Sequence, residues 1–440
     1  MPRSAIVVGA GLAGLTAAHR LHQAGWDVEV LEAAREVGGR AVSVAKQGYL
    51  FDSGAVGVGT VYQDYMALVN ELGLADRVVN TSSISATVRG GRLREIDSKN
   101  ALSGLTTDLL SFGSKLKLIN LFMDLGRVKR SGLDIRDVAG SAAFDDESIE
   151  AYARRRLNPE ILEYFIEPLA RTVNLNRARN VSKLEVMNSL AGLFDTTMIT
   201  LTGGLATFAQ ALARPLDVKL HTRVEAVQRV GERVDVRATA ADGSRFARSA
   251  DVCVLATTLT RALDLYPDAR AQYAPLTAVL RYNRGLCVHL GYRAATRTKA
   301  LIAMMPPSEH PEIALFFLEH NKGPDRAPKG GSMITAFFDE TAIDRPWGQA
   351  DDGLARETAA TVERILPELA GHLEMRHVTR WPEGLTNPAP GIYRAMQAVN
   401  RARDPKSRVQ LTGDYHSTAG QNSAVAWGNN TARSLVETFR

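Results

Sequence analysis

Three glycines near the start of the chain have the spacing of a turn that binds phosphate. Gly9, Gly11 and Gly14 form a GxGxxG pattern between an apolar run at 5–8 and a helical pattern that ends at Gly25. The first glycine permits a tight turn, the second lets backbone approach a pyrophosphate, and the third lets the helix pack on the strand. The helix N-terminus adds free N–H groups and a positive dipole end. This predicts a dinucleotide site, an ordinary βαβ turn being the alternative. The predicted contacts are Gly9, Ala10, Gly11, Leu12, Ala13 and Gly14.

A carboxylate and a second glycine turn extend this site. Glu32 ends the next predicted strand, where it can accept hydrogen bonds from a ribose diol and would repel the 2′-phosphate of NADP. The turn at 38–40, GGR, follows soon afterwards, and a fixed cation beside two glycines suits a second approach to a diphosphate. Because a plain NAD site needs no such turn, we predict FAD. No cysteine lies near the last predicted helix, so we expect noncovalent binding. Ala33, Gly39 and Arg40 are predicted contacts.

Two later stretches offer small or acidic residues to the same ligand. The segment at 52–57, DSGAVG, allows close backbone approach to a planar group. Asp414 ends a predicted strand at 409–412 and precedes a helix predicted at 423–439. An acid there suits the hydroxyls of a ribityl chain, and a helix cap is the alternative. The predicted contacts in these stretches are Gly54, Ala55, Val56, Gly413 and Asp414.

Length and composition exclude several classes of protein. A chain of 440 residues with 45% apolar and 23% charged residues is typical of a soluble protein of two or three domains. The net charge of +5 comes without a basic run interleaved with aromatics, so no nucleic acid partner is predicted. We predict no signal peptide, spanning helix or metal site. Cys253 and Cys287 lie in apolar runs as buried thiols, which is compatible with the cytoplasm.

Apolar runs and turn residues predict the elements around these motifs. A strand at 251–257 is expected to join the strand at 5–8 in a buried sheet. Strands are also predicted at 277–292, 331–338 and 377–381; hairpins at 42–51, 88–96 and 234–247; helices at 61–72, 148–157, 159–172, 205–212 and 355–366; and an irregular segment at 382–390.

The stretch at 101–200 is rich in helical patterns and poor in strand signals. Within it, residues 111–130 repeat apolar side chains at helical spacing with basic residues around them. Such a helix either packs on its own domain, which we favour, or forms a basic amphipathic surface for peripheral membrane contact.

Together these motifs resemble the FAD superfamily of flavin amine oxidases, protoporphyrinogen oxidases and phytoene-type desaturases. The matching pieces are GAGLAG at 9–14 with Glu32, GGR at 38–40, FDSGAV at 51–56, GGLATFAQAL at 203–212, RVEAV at 223–227 and LTGD at 411–414. The resemblance implies an α/β fold. Its Rossmann-type FAD-binding domain would comprise 1–85, 203–262 and 381–440, interleaved with a substrate domain of mixed sheet and helices at 86–202 and 263–380. It also implies that Val224 brackets the adenine and that Gln421, Asn422, Ser423 and Ala424 pass the isoalloxazine ring.

Two positions bear on the branch of the superfamily. Members that oxidise amines usually carry a lysine facing flavin N5 and an aromatic residue before the closing helix, where alignment by eye places Leu286 and Gly420. The segment RWPE at 380–383, followed by Gly391, is similar instead to the protoporphyrinogen oxidase and desaturase branch. This implies hydride removal from a hydrophobic, ring-containing small molecule, with oxygen or another acceptor taking the electrons. An amine oxidase with an altered site and a non-catalytic flavin-binding protein are the alternatives.

Tyr415 and His416 are the candidate catalytic residues, because they follow Asp414 directly and could face the flavin ring. A hydrogen-bonded structural histidine is the alternative for His416. Since a flavin carries the redox chemistry, a strong side-chain base is not required. His310 and Lys322 are expected at the surface or pocket rim, without a role, as is His320.

Overall fold

The computed structural model describes residues 3–132, 138–193 and 196–439, along which strands and helices are mixed. Parts of the predicted helical stretch, at 133–137 and 194–195, lie outside these ranges. The strands are β1 (Ser4–Val8), β2 (Asp27–Leu31), β3 (Ser43–Lys46), β4 (Tyr49–Asp52), β5 (Val58–Gly59), β6 (Val78–Asn80), β7 (Ile84–Arg89), β8 (Arg92–Asp97), β9 (Met198–Leu201), β10 (Asp217–Lys219), β11 (Arg223–Val230), β12 (Arg233–Thr239), β13 (Arg245–Ala250), β14 (Val252–Leu255), β15 (Tyr282–Tyr292), β16 (Ile302–Met304), β17 (Ile313–Leu318), β18 (Ser332–Phe338), β19 (Leu373–Thr386) and β20 (Val409–Leu411). The α-helices are α1 (Leu12–Gln23), α2 (Gln63–Glu71), α3 (Ala101–Thr106), α4 (Phe112–Arg130), α5 (Ile149–Arg156), α6 (Pro159–Ile161), α7 (Glu167–Asn174), α8 (Lys183–Leu193), α9 (Ala206–Ala213), α10 (Leu259–Leu265), α11 (Arg270–Val279), α12 (Asp344–Gly348), α13 (Asp351–Ile365), α14 (Ile392–Arg401) and α15 (Gln421–Thr438).

A five-stranded parallel sheet carries the first glycine turn. Its order is β10-β2-β1-β14-β20, so the strand predicted at 251–257 does lie beside the strand at 5–8. Every residue of β14 is buried, as expected of a strand covered on both faces. Helices α1 and α15 pack against each other. This arrangement confirms the α/β class.

A seven-stranded mixed sheet forms the second layer, in the order β19-β15-β18-β17-β16-β7-β8. One face packs on α13, where Leu286 and Val288 share a buried cluster with Leu354. The opposite face presents Cys287 and Phe317 to a second buried cluster. Successive residues of a strand point to opposite faces, so β15 and β17 each supply both clusters. The strands of the parallel sheet lie in segments predicted for FAD binding, while β19 crosses the predicted boundary at 380, and the domain division stays a prediction.

Several predicted elements differ from the structure. The strand predicted at 277–292 begins at Tyr282, because the preceding residues form α11. The helix predicted at 159–172 contains a π-helical segment, Leu162–Ile166. The segment predicted to be irregular at 382–390 continues β19 as far as Thr386. Proline is tolerated in β19 because it is an edge strand. Strands β16 and β17 and helix α14 are among the elements that were not predicted.

A buried ion cluster joins the hairpin β3–β4 to the segment after β17. Asp52 accepts hydrogen bonds from Lys322 Nζ at 3.0 Å and Arg326 Nη1 at 3.1 Å. Lys322 also pairs with Glu319 at 2.6 Å, and it is only 1% exposed. The expectation that Lys322 lies at the surface was therefore wrong. Buried charges are retained when they are paired in this way.

The helix predicted at 111–130 is α4, whose Leu121, Leu125 and Val128 are buried. None of the described helices combines the length and apolar composition needed to cross a bilayer. Over the same described ranges, no three His, Cys, Asp or Glu side chains are grouped as a metal site would require.

Candidate functional site

A continuous cavity of about 1190 Å³ runs from the end of β1 to the mixed sheet. Pockets for one small molecule usually enclose roughly 300–1,000 Å³, so the cavity has room for a cofactor and a substrate together. The predicted contact residues on its wall are Gly9, Gly11, Leu12, Ala13, Glu32, Ala33, Gly39, Arg40, Gly54, Ala55, Val56, Val224, Gly413, Asp414, Gln421 and Ala424.

The two glycine turns lie against each other at one end of the cavity. The Gly38 N–H donates to the Ala10 carbonyl at 2.8 Å, and Gly11 forms a β-bridge with Gly38. Gly9 has a φ of +102°, and a Cβ there would lie 2.9 Å from the Ala256 carbonyl oxygen. A Cβ on Gly11 would meet no atom within 4 Å. The backbone of Gly11 therefore faces open space, as an approaching diphosphate would require.

Ala10 and Gly14 shape this turn from behind and do not line the cavity. A Cβ on Gly14 would lie 2.0 Å from the Gly9 carbonyl oxygen, so glycine allows α1 to pack on the turn. Ala10 is fully buried. No side chain caps the N-terminus of α1, whose first N–H groups remain for a ligand.

Glu32 links the glycine turn to the loop after β2. Its Oε2 accepts a hydrogen bond from the Ala10 N–H at 2.6 Å, and its Oε1 accepts from the Ala34 N–H at 2.7 Å. A carboxylate oxygen has lone pairs for a further donor. Glu32 is thus fixed on the cavity wall with acceptor capacity for the ribose diol that the sequence predicts.

Glu32→Ala should weaken FAD binding by about 1–3 kcal/mol, because ribose hydroxyls would lose their acceptor. Glu32→Gln should lose less, since an amide oxygen still accepts. Titration of the apoproteins with FAD, followed by flavin fluorescence, measures the three affinities. Equal affinities for all three proteins would show that Glu32 does not contact the ribose.

Arg40 connects the second glycine turn to two distant segments. Its Nη2 lies 3.0 Å from Asp414 Oδ1, and its Nη1 donates to the Gly384 carbonyl at 3.0 Å. A Cβ on Gly54 would lie 2.1 Å from the Arg40 carbonyl oxygen, so the chain after β4 closes on Arg40 itself. Asp414 serves as the ion-pair partner of Arg40, and the pair holds both side chains on the cavity wall.

The N-terminus of α15 closes the middle of the cavity. Gly420 precedes the helix, and Gln421 begins it. Gln421 Nε2 donates to the Gly57 carbonyl at 3.0 Å, while its Oε1 is buried without a hydrogen-bond partner among the described residues. A buried acceptor without a partner costs stability unless a ligand donates to it. Together with the helix dipole, this oxygen fits the polar edge of a ring.

Asn422 and Ser423 turn away from the cavity wall. Asn422 Oδ1 accepts a hydrogen bond from the Tyr65 N–H at 3.2 Å. Ser423 Oγ lies 3.1 Å from Thr418 Oγ1. Both side chains fasten the first turn of α15 to neighbouring segments, and neither residue lines the cavity.

The end of the cavity at the mixed sheet is apolar. Leu175, Phe317 and Phe337 on its wall belong to one buried cluster with Cys287. Burial raises the pKa of the Cys287 thiol, which therefore acts as a small apolar side chain. The Trp381 indole N–H donates to the Ser53 carbonyl at 2.7 Å, which fixes its ring on the same wall. This end suits a hydrophobic ring system.

Residues 12–436 match the family described as flavin containing amine oxidoreductase. The chain belongs to this family. Membership of this family supports an FAD-dependent oxidoreductase, while the assignment of the glycine turns, Glu32 and Arg40 to the nucleotide stays a prediction.

The chain is similar in sequence to two porphyrinogen oxidases and in fold to an amine oxidase. The chain is 31% identical over 195 residues to coproporphyrinogen III oxidase of Staphylococcus aureus and 31% identical over 191 residues to protoporphyrinogen oxidase 2 of Arabidopsis thaliana. Each match covers 43% of this chain, and the matches span 39% and 35% of the two relatives, well under half of their length. The structure of cyclohexylamine oxidase from Brevibacterium oxydans aligns over 99% of both chains with a TM-score of 0.77 at 17% identity, a likeness of fold.

The position of the lysine in amine-oxidising members needs a correction. Leu286 is fully buried on the face of β15 away from the cavity, while Gly285 and Cys287 line the cavity. Leu286 therefore does not face the cavity, and which residue of β15 corresponds to the lysine stays a prediction. Within the described residues no lysine lines the cavity. Gly420 does lie on the wall, as expected.

Tyr415 and His416 do not lie on the cavity wall, so the structure does not place them against a bound ring. His416 stacks on Trp427 with ring centroids 4.4 Å apart, and its Nδ1 lies 2.7 Å from Asn400 Oδ1. Burial lowers the pKa of His416 well below its usual value, so it is neutral. These contacts are those of a hydrogen-bonded structural histidine, the alternative stated for His416. We assign neither Tyr415 nor His416 a catalytic role.

His377 is a cavity residue that the sequence analysis missed. It lines the wall with Thr379 and Trp381, all on one face of β19. Its ring stacks with that of His289 at a centroid distance of 5.9 Å. Burial lowers the pKa of His377, so at neutral pH it offers a neutral ring. The alternation of polar and aromatic residues at 377, 379 and 381 is the signal that could have identified this face.

Proposed function

We propose that the protein binds FAD noncovalently and removes a hydride from a hydrophobic, ring-containing small molecule. The observation that carries the proposal is the continuity of the cavity. Glycine turns with Glu32 and Arg40 line one end, and apolar side chains with Trp381 line the other. A cofactor held at the first end would meet a substrate held at the second.

Different residues along the cavity would bind the cofactor and position the substrate. FAD, when bound, accepts the hydride and passes the electrons to oxygen or another acceptor. Glu32 would hold the ribose, and Arg40 would stand beside the diphosphate. Gln421 Oε1 at the N-terminus of α15 would accept a hydrogen bond from the polar ring edge. The apolar wall would exclude water and direct a C–H bond towards the cofactor. Both thiols are buried and reduced, which suits a cytoplasmic enzyme.

The charges on the cavity wall favour a substrate whose reacting part is uncharged. Arg40 pairs with Asp414, Arg261 donates to the Val224 carbonyl, and Glu383 accepts from Thr258 Oγ1, so these wall charges already have partners in the chain. The relatives named for porphyrinogens make a reduced cyclic tetrapyrrole the first substrate to test. Its carboxylates would have to remain outside the apolar end.

Anaerobic stopped-flow mixing tests the proposal. Protoporphyrinogen or another apolar ring substrate should bleach the flavin absorbance, whereas putrescine and simple primary amines should not. Phe317→Ala should reduce the rate by about tenfold at low substrate, because one apolar contact is lost. Phe316→Ala is the matched control, since Phe316 packs on the opposite face of β17. Rapid bleaching of the flavin by any simple amine would overturn the proposal that the substrate is a hydrophobic ring compound.

An amine oxidase with an altered site is the second candidate. Trp381 lies at the cavity wall with Phe317 and Phe337, and aromatic faces can contact an alkylamine. The same stopped-flow series distinguishes the two candidates, because bleaching by cyclohexylamine but not by protoporphyrinogen would favour this one.

A further inference from the structure

Helix α4 carries two apolar faces, and the structure buries one of them. The buried set is Ser114, Leu121, Leu125 and Val128. The apolar residues of α4 that are more than half exposed are Phe112, Leu116, Ile119 and Met123, of which Phe112 is 76% exposed. The exposed residues recur at intervals of four, three and four, which places them along one line of the helix. At 3.6 residues per turn, the two sets lie on opposite sides of α4.

Helix α3, which lies just before α4 in the chain, also exposes apolar side chains. Leu102 and Leu105 of α3 are each 66% exposed. Lys115 Nζ donates to the carbonyls of Leu105 and Thr107 at 2.6 Å, which ties the end of α3 to α4. We define the α3–α4 apolar patch as Leu102, Leu105, Phe112, Leu116, Ile119 and Met123. Single exposed apolar residues are ordinary, but a contiguous patch marks an interaction surface.

Outside this region, Val230 is the one large apolar side chain that is more than half exposed among the residues described. The concentration on α3 and α4 is therefore a property of this part of the molecule. It is not a general feature of the surface.

The charge around the patch is strongly positive. Residues 111–130 contain Asp124 as their single acid and the bases Lys115, Lys117, Arg127, Lys129 and Arg130, so five positive charges less one negative charge leave +4. Basic side chains flanking an apolar helix face are attracted to anionic lipid headgroups. Two copies of the chain that met through this patch would bring like charges together.

We propose that the α3–α4 apolar patch docks the protein on an anionic membrane surface. The stretch from Phe112 to Met123 is about 17 Å long at 1.5 Å per residue, shorter than the roughly 30 Å of a bilayer core. Helix α4 therefore lies in the plane of the interface, with its buried face still packed on the protein. Its outer side chains enter the boundary between headgroups and acyl chains.

Vesicle flotation of the full-length protein tests the proposal. The protein should float with phosphatidylcholine vesicles that contain roughly one third phosphatidylglycerol, and binding should weaken as salt screens the charges. Pure phosphatidylcholine vesicles should bind at least about fivefold less. Absence of binding to the anionic vesicles would overturn the proposal.

Two variants separate the apolar and the charge contributions. Leu116→Gln combined with Ile119→Gln should reduce binding by about tenfold or more, because two inserted side chains become polar. Lys117→Gln combined with Arg130→Gln should reduce binding about fivefold for each charge removed. Val230→Gln is the matched control, since it makes an equally exposed apolar residue polar elsewhere, and it should bind as the parent protein does.

Light scattering measures the mass of the protein in solution and so tests whether a second copy of the chain covers the α3–α4 apolar patch. The parent protein and the Leu116→Gln, Ile119→Gln variant should have the same mass in solution. A parent dimer that this variant converts to a monomer would overturn the proposal in favour of self-association. Circular dichroism of each variant verifies the fold, which substitutions at exposed positions should preserve.

Discussion

Gly11→Val should give a folded protein that no longer retains FAD. A Cβ on Gly11 meets no atom of the chain within 4 Å, and its backbone, with φ of −74° and ψ of 174°, is extended. A valine is therefore compatible with the fold, but its side chain would occupy the space through which a diphosphate reaches the turn. We expect affinity for FAD to fall by about a hundredfold or more, equivalent to about 3 kcal/mol. Flavin absorbance of the purified protein and FAD titration measure the effect.

Gly348→Val is the control for this substitution. Gly348 also has open space at its Cβ position, and it lies in α12, away from the cavity wall. The control should bind FAD normally and unfold at the same temperature as the parent. If Gly11→Val remained yellow with unchanged affinity, the glycine turn would not be the diphosphate site.

Asp52→Asn should lower the free energy of unfolding by about 3–5 kcal/mol, because it leaves Lys322 and Arg326 buried without their shared counter-charge. Both cations contact Asp52 Oδ2, and all three side chains are almost completely buried. Asp217→Asn is the matched control, because Asp217 pairs with Lys219 at an exposed site. Exposed pairs contribute little, so the control should leave stability essentially unchanged. Urea unfolding followed by circular dichroism compares the two.

The ion cluster also predicts a pH dependence. Burial acts to raise the pKa of Asp52, but Lys322 and Arg326 outweigh it and hold the pKa below its usual value. The Asp52 carboxylate therefore stabilises the protein above the ordinary pKa of an aspartate, and this contribution is lost as the pH falls through the lowered value. The Asp52→Asn variant should show a shallower loss of stability below about pH 4. An unchanged acid profile would show that Asp52 is not a main source of the acid sensitivity.

The parts of the site that sequence could predict are those with local chemistry. Gly9, Gly11 and Gly14 act through their own backbone and through neighbours a few residues away. Glu32 is fixed by N–H groups of the turn that precedes it and the loop that follows it. The contacts that require these residue types lie within one short segment, so the spacing of the residues alone predicts their positions in the turn.

Leu286 shows why a strand resists alignment by eye. Its neighbours Gly285 and Cys287 face the cavity, whereas Leu286 faces α13. Because side chains alternate along a strand, an error of one residue moves a position to the opposite face. The conclusion that no lysine lines the described cavity wall is unaffected, because neither Gly285 nor Cys287 is a lysine.

Lys322 and His416 depend on partners that sequence cannot place. Lys322 pairs with Asp52, 270 residues away, so its burial follows from tertiary structure alone. His416 turns inward to stack on Trp427. The segment after Trp381 could not be predicted as a strand for a similar reason. Its proline is compatible with a strand only because β19 lies at the edge of the sheet, which the sequence does not show.

The order of strands in the parallel sheet has a consequence for the timing of synthesis. Strands β1 and β2 leave the ribosome early, yet β14, which pairs with β1, and β20, which pairs with β14, are encoded some 250 and 400 residues later. The N-terminal glycine turn is therefore exposed during most of translation, without the sheet edge and the Asp414 that complete it. If Asp414 helps to hold FAD as we propose, the cofactor would be retained only after the segment around Asp414 has emerged. A nascent chain stalled before residue 400 should thus be flavin-free and dependent on chaperones.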